Sequence, residues 1–146
     1  FLLSNATQAR GINPTLGFFY AEDIPVYATS HVHIGTDSQI NAIDMNGIRF
    51  CDIPWKLTKN DTIKQLIFDS WSGASSELAP FYALGVDAHR LYPRLQQLKK
   101  FPEEKIFGAT GILTLNKDNI VNRSLMWAQF RDGKVSTIPM IFDAAL

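Results

Sequence analysis

His31 and His33 are separated by one residue and form the most prominent pair of potential metal ligands in the sequence. Alternate side chains of an extended strand lie on one face, so both imidazoles could bind one metal ion there. A zinc site needs three or four ligands, and no cluster of aspartate, glutamate or cysteine accompanies the pair at ligand spacing. We therefore predict no metal and no cofactor, and we expect His31 to line a loop. His89 is expected at the surface or boundary of a helix.

Nucleophilic catalysis has little support in the sequence. The motif Gly-x-Ser-x-Gly of a nucleophile elbow is absent, and residues 71–74 do not match it. Residues 108–111 lack the lysine and the spacing of a phosphate-binding loop. We predict that the chain has no catalytic residues and is not an enzyme, although four serines were considered as nucleophiles: Ser4, Ser30, Ser72 and Ser75.

Composition excludes several classes of protein. The chain has 146 residues, enough for one ordinary domain, with 14 basic and 14 acidic side chains. A nucleic-acid groove normally shows as a basic excess, so we predict no nucleic-acid partner. No stretch approaches the roughly 20 apolar residues of a membrane span. The single cysteine, Cys51, lies in an apolar run and is expected to be a small buried side chain; the alternative is a reactive thiol.

The first 30 residues predict a strand–helix–strand unit. Residues 1–3 are apolar and indicate the end of a buried strand, so we expect the chain to be a fragment of a longer fold. Asn13 and Pro14 are typical of a helix start, and this helix is expected to reach about Glu22. Residues 24–29 are short, apolar and rich in β-branched or aromatic side chains, which predicts a second strand. Short loops between such elements favour a parallel sheet.

Polar residues follow both predicted strands. Ligands of open parallel sheets bind outside the carboxyl ends of the strands. The side chains there could donate hydrogen bonds to a small polar ligand. The alternative is that they are ordinary loop residues beside a vestigial or filled cleft, because the sequence shows no charged clamp for an amino-acid carboxylate. The candidate cleft-lining residues are Ser4, Asn5, Thr7, Ser30 and His31.

The rest of the chain predicts helices followed by a β-hairpin. Pro93 should break the long helix near Tyr92, and Asp132-Gly133 should form the hairpin turn with positive φ angles. The three tryptophans are expected in the core, and any exposed one would be a candidate hot spot for a protein partner. The predicted elements are a helix or loop at 39–44, strands at 48–53, 108–115, 124–130 and 135–138, helices at 58–71 and 80–100, and a turn at 116–119.

This order of elements is similar to the second half of type 1 periplasmic binding proteins, which have two Rossmann-like α/β lobes with parallel sheets. Several separated stretches resemble more closely the LppC/LpoA family of outer-membrane lipoproteins. The likeness covers essentially the whole chain, and the stretches occur in the right order. They are Gln-Ala-Arg-Gly-Ile-Asn-Pro-Thr-Leu at 8–16, Asp-Ile-Pro-Val-Tyr-Ala-Thr-Ser at 23–30, Ala-Leu-Gly-Val-Asp-Ala at 83–88, Gly-Ala-Thr-Gly at 108–111 and Val-Asn-Arg-Ser-Leu at 121–125.

The resemblance implies a function. Members of the family are lipid-anchored in the outer membrane, face the periplasm and activate a bifunctional class A penicillin-binding protein, and so peptidoglycan synthesis and cell-wall biogenesis. The anchor would lie in an N-terminal part that these 146 residues do not include. The chain is expected to be a non-catalytic regulator that binds the synthase. The alternative is a periplasmic solute receptor that binds an amino acid or a cell-wall fragment between its lobes.

The resemblance also implies a division of the chain between lobes. Residues 1–55 would form the βαβ part of the second lobe. Residues 56–107 would be a helical segment that packs on the first lobe. Residues 108–146 would contain the return strand and the terminal β-hairpin of the second lobe.

Overall fold

The computed structural model describes residues 1–35, 42–59, 61–71 and 77–139. The chain divides into two compact units, of which unit 1 comprises Phe1–Asp52 and Met126–Leu146, and unit 2 comprises Ile53–Leu125. Single 3₁₀ turns lie at Ser30–Val32, Ile43–Met45 and Tyr92–Arg94. The helices and strands are α1 (Ala6–Phe18), β1 (Tyr27–Ala28), β2 (Arg49–Asp52), α2 (Pro54–Leu57), α3 (Thr62–Ser70), α4 (Ala79–Leu91), α5 (Leu95–Lys100), β3 (Ile106–Phe107), β4 (Ile112–Leu115), β5 (Val121–Ser124), β6 (Met126–Arg131) and β7 (Lys134–Thr137).

Unit 1 is built on a four-stranded sheet in the order β1-β2-β6-β7. The predicted parallel arrangement is present where β1 pairs with β2, and Leu2 extends it through one parallel bridge to Ala28. The terminal strands pair antiparallel, as a hairpin requires. Phe50 of β2 is fully buried against Phe130 of β6, with ring centroids 5.1 Å apart, so this pair forms the centre of the core.

The first helix differs from the prediction. It begins at Ala6, not at Asn13, and ends at Phe18 rather than near Glu22. Asn5 is the N-cap, and its side chain and that of Gln8 each accept a hydrogen bond from the other's backbone N–H, which forms a capping box. Asn13 instead donates from Nδ2 to the carbonyl oxygens of Asp44 and Asn46, so it ties α1 to the following segment.

The terminal hairpin confirms the predicted turn. Asp132 and Gly133 have φ angles of 52° and 72°, the positive values that a two-residue hairpin turn needs. Gly133 is fixed from outside the hairpin, since its N–H donates to Oδ1 of Asn46. Half of the predicted segment at 39–44 lies outside the described residues, and its described end contributes to the turn Ile43–Met45.

Unit 2 has two apolar clusters. One centres on Trp55 and Ala83, and Ala109 joins it from the loop before β4. The other packs Leu98 of α5 against Leu113 of β4. The predicted break in the long helix is confirmed, because α4 ends at Leu91 and α5 begins only after a 3₁₀ turn that contains Pro93.

A three-stranded antiparallel sheet, in the order β3-β4-β5, completes unit 2. The strand predicted at 124–130 corresponds to β6, whereas β5, which ends at Ser124, was not predicted. This changes the expected grouping of the chain. Residues 108–125 were assigned with the terminal hairpin, yet they belong to unit 2, where β4 pairs with both of its neighbours. The assignment of the two units to lobes stays a prediction.

Among the described residues, no helix has the length and apolar character needed to cross a membrane.

Cys51 is half-buried rather than fully buried. Its burial, and to a smaller extent the neighbouring Asp52 carboxylate, raises the pKa of its thiol. A raised pKa lowers the thiolate fraction, so the side chain is a poor nucleophile at neutral pH.

Candidate functional site

The carboxyl edge of the parallel strands in unit 1 holds the candidate cleft residues. Ser4 follows the bridge at Leu2 and is buried, and its Oγ has no hydrogen-bond partner in the described part of the chain. Asn5 is exposed, but its amide oxygen is already used to cap α1. Thr7 is exposed in the first turn of α1, where backbone N–H groups have no acceptor within the helix. This end of α1 can therefore donate hydrogen bonds to an acceptor group.

The neighbouring strand contributes Ser30 and His31 to the same edge. Both lie in the 3₁₀ turn that follows β1, with Ser30 half-buried and His31 exposed. Nδ1 of His31 lies 3.1 Å from Oγ1 of Thr29, which fixes the ring over the loop. The turn removes the strand geometry in which His31 and His33 would share a face. No group of three or more potential ligands that could hold a metal ion occurs among the described residues.

His33 and Asp52 form a buried pair that the sequence analysis did not identify. Nδ1 of His33 lies 2.8 Å from Oδ2 of Asp52, and both side chains are about 4% exposed. The pair joins the end of the 3₁₀ turn to the end of β2, and the His33 ring also packs against Phe50 at 5.3 Å. The contact spans 19 residues of sequence, so no local spacing could have predicted it. It holds the loop of His31 against the sheet edge.

In unit 2, Asp87 organises the loop that precedes β4. Its carboxylate accepts hydrogen bonds from the backbone N–H of Ala109 and from both the backbone N–H and the hydroxyl of Thr110, each at 2.7 Å. A Cβ atom on Gly108 would lie only 2.6 Å from Oδ2 of Asp87. The glycine at this position allows the carboxylate to approach, which is a structural role and not phosphate binding.

An apolar groove of about 630 Å³ lies between α3 and α4 of unit 2. Trp71 and Phe81 line it and are 56% and 69% exposed. His89 is exposed, as predicted, and lines the groove with Arg90 in the last turn of α4. Arg90 is partly neutralised by Asp87 at 4.0 Å. Two of the serines considered as nucleophiles, Ser72 and Ser75, lie outside the described residues.

The family of the chain follows from its sequence as a whole. A sequence profile described as "LppC putative lipoprotein" matches residues 1–133. The chain belongs to the LppC family.

Curated relatives of this LppC-family chain include proteins named "Penicillin-binding protein activator LpoA". The chain is 34% identical to the Escherichia coli K12 protein over 110 residues, which are 75% of this chain and 16% of that protein. It is 28% identical to the Klebsiella pneumoniae protein over 137 residues, which are 92% of this chain and 19% of that protein. The chain thus spans less than a fifth of the length of these two relatives. The relatives are named as activators and not as enzymes.

Solved structures show the same relationship. The chain is similar to "LpoA (YraM) C-domain from Haemophilus influenzae, a regulator of PBP1A", with a TM-score of 0.74, 27% identity, and coverage of 94% of this chain and 43% of that one. It is also similar to a "putative branched-chain amino acid ABC transporter" from Chromobacterium violaceum, with a TM-score of 0.57, 26% identity, and coverage of 86% and 40%. The predicted fold class is confirmed: the chain is a mixed α/β part of a periplasmic-binding-protein-like module.

Proposed function

We propose that this LppC-family chain is part of a non-catalytic regulator that binds and activates a bifunctional class A penicillin-binding protein, and so promotes peptidoglycan synthesis. The observation that carries the proposal is the likeness of 94% of the chain to the C-domain of a protein described as a regulator of PBP1A. Activation by binding requires a surface that fits an active conformation of the enzyme better than an inactive one. It requires no catalytic groups of the regulator.

The location of the protein follows from the same proposal. We place it at the outer membrane on the periplasmic side, held there by a lipid anchor. The family description as a lipoprotein supports an anchored protein of the cell envelope. A synthase that builds peptidoglycan works in the same compartment, so the regulator and its partner can meet there.

Direct association with the synthase tests the proposal. The purified protein that carries this chain is titrated into a labelled class A penicillin-binding protein from the same organism. Saturable one-to-one binding is expected, and a penicillin-binding protein of another class serves as the control. Absence of binding at concentrations up to tens of micromolar, with both proteins folded, would contradict the proposed function.

We further propose that the helical segment at 56–107 packs on the other lobe of the module. The groove between α3 and α4 supports this, because it leaves Trp71, Leu78 and Phe81 each more than half exposed. Soluble proteins seldom leave a contiguous apolar patch of this kind uncovered. The matched C-domain is more than twice as long as this chain, since the chain covers 43% of it. The remainder of such a domain is the occupant we assign to the groove.

A solute receptor remains the second candidate, and the unpartnered Oγ of Ser4 favours it. A buried hydroxyl without a hydrogen bond costs about 1–3 kcal/mol, and a bound polar ligand would remove that cost. Ser4 precedes the first turn of α1, whose N–H groups point out of the helix, although that of Gln8 is already bonded to Asn5. Together they suit an acceptor group such as the carboxylate of an amino acid or of a cell-wall fragment.

A thermal-shift screen with amino acids and muropeptides tests this candidate. A ligand present at 100 times its Kd stabilises the folded state by about 2.7 kcal/mol, which raises the Tm measurably. The shift should be lost in Ser4→Ala, which by itself should not destabilise the fold because it removes an unpaired hydroxyl. If no compound raises the Tm while synthase binding is intact, the receptor function is excluded for the compounds screened.

A further inference from the structure

An exposed aromatic corner lies at the end of α1 in unit 1. We define it as Phe18, Phe19, Tyr20 and Ile24, which are 79%, 69%, 93% and 58% exposed. The rings of Phe18 and Phe19 pack edge to face, 5.2 Å apart, and so present a preformed surface. Scattered apolar side chains are normal at a surface, but four within seven residues, three of them aromatic, are typical of the core of a protein interface.

The backbone at Tyr20 in the corner has a conformation that is unfavourable for a residue with a side chain. The N–H of Tyr20 donates to the carbonyl of Gly17, and the N–H of Ala21 donates to that of Leu16, which is the Schellman pattern of a helix end. Tyr20 occupies the left-handed position of this motif, with a φ angle of 56°. Glycine is the usual residue there, because a side chain costs about 1 kcal/mol in that conformation. Packing of the side chain does not offset this cost, because the Tyr20 ring is almost fully exposed.

The corner lies at one defined edge of the unit 1 sheet. α1 ends before β1 begins, so the corner is at the edge where β1 and β2 start. The two connections of unit 1 to the rest of the chain leave from the opposite edge, where Asp52 at the end of β2 pairs with Met126 at the start of β6. The candidate cleft residues occupy that opposite edge as well. The corner and the candidate cleft residues therefore lie at opposite edges of unit 1.

Charge defines the kind of partner. Glu22 and Asp23 lie within the span of the corner and are exposed, whereas Arg49, which starts β2 at the same edge, is held over the Tyr27 ring and donates to its hydroxyl. The corner thus combines an apolar centre with an acidic rim. The complementary surface is an apolar pocket that accepts aromatic rings and is bordered by lysine or arginine side chains.

We propose that the aromatic corner is the docking surface of this chain for the penicillin-binding protein. This inference rests on the proposed function. Tyr20 is the anchor: the fold accepts the strain at this position because the exposed ring binds the partner. When a residue lowers the stability of a protein for the sake of a function, a substitution that removes the function raises that stability.

The test compares Tyr20→Gly, Phe19→Ala and the wild type in synthase binding and in thermal unfolding, using the full protein that carries this chain. Tyr20→Gly should raise the Tm by about 3 °C and weaken binding by at least tenfold, as expected for a hot spot. Phe19→Ala should weaken binding with little change in Tm. Reversal of both acidic side chains to lysine should slow association, and added salt should then speed association instead of slowing it, because salt screens the new repulsion.

Two controls make the outcomes distinct. Tyr92→Ala removes a tyrosine that is 82% exposed in unit 2 and should leave binding unchanged. Glu103→Lys reverses an exposed acidic residue of unit 2. A wild-type protein that does not bind the synthase would contradict the proposed function, and this surface with it. Binding by the wild type and by Tyr20→Gly with equal affinity would overturn the docking surface alone, as would an equal loss in Tyr92→Ala.

Discussion

Asp87 connects α4 to the loop that contains the Gly-Ala-Thr-Gly stretch of the family resemblance. Its carboxylate lies in the interior, 2% exposed, and satisfies three donors of the loop before β4. The sequence predicts a helix that contains Asp87 and shows the Gly-Ala-Thr-Gly stretch. It could not show that the Asp87 carboxylate contacts this stretch. Gly108 was recognisable as part of that stretch, whereas the reason for a glycine there is a carboxylate 21 residues away in sequence.

Replacement of Asp87 by alanine should destabilise the protein by about 3 kcal/mol, because two buried N–H groups and a hydroxyl lose their acceptor. Urea unfolding followed by far-UV circular dichroism measures the change. Asp69→Ala removes an exposed carboxylate on α3 and should stay within about 0.5 kcal/mol of the wild type. Equal stabilities of the two variants would show that the three hydrogen bonds do not hold the loop.

The candidate cleft illustrates what residue types alone can predict. The sequence placed Ser4 and Ser30 after neighbouring strands, and the bridge between Leu2 and Ala28 puts those strand ends side by side. The His33–Asp52 contact escaped prediction because it depends on how β1 and β2 are aligned. Polar loop residues can be predicted from local sequence, but buried pairs between strands require the register.

Among the elements, α1 shows how two valid signals can compete. Asn13-Pro14 is a good helix start, and so is Asn5 with Gln8 three residues later. The structure uses the second, which adds two turns to the helix and accommodates Pro14 inside it. The Asn13 side chain is used instead in long-range hydrogen bonds to Asp44 and Asn46, which sequence reasoning from a local window cannot include.

The helices α3 and α4 give a prediction about their groove. In the protein that carries the complete module, Phe81→Asp should lower the free energy of unfolding by at least about 2 kcal/mol, because a charge would be buried against the other lobe. Tyr92→Asp is the control at a site expected to remain exposed, and it should have little effect. Chemical denaturation compares them. A Phe81→Asp variant as stable as the control would contradict the assigned occupant of the groove.

For the whole molecule, sequence reasoning predicted the fold class better than the division of the chain. The α/β order and the terminal hairpin indicated the type of module, and structural similarity confirms it. The boundary expected near residue 108 differs from the division into compact units, because β3, β4 and β5 form their own sheet in unit 2. Since β5 is polar and exposed, its sequence has no apolar alternation that would mark it as a strand.

Activation of the synthase by the regulator is measured most directly by one rate. The initial rate of peptidoglycan synthesis by the class A penicillin-binding protein is followed as the purified regulator is added. The rate should rise several-fold and saturate over the same concentration range as binding, because the regulator stabilises the active conformation of the enzyme. A rate that does not change at concentrations where the two proteins are fully bound would contradict the account.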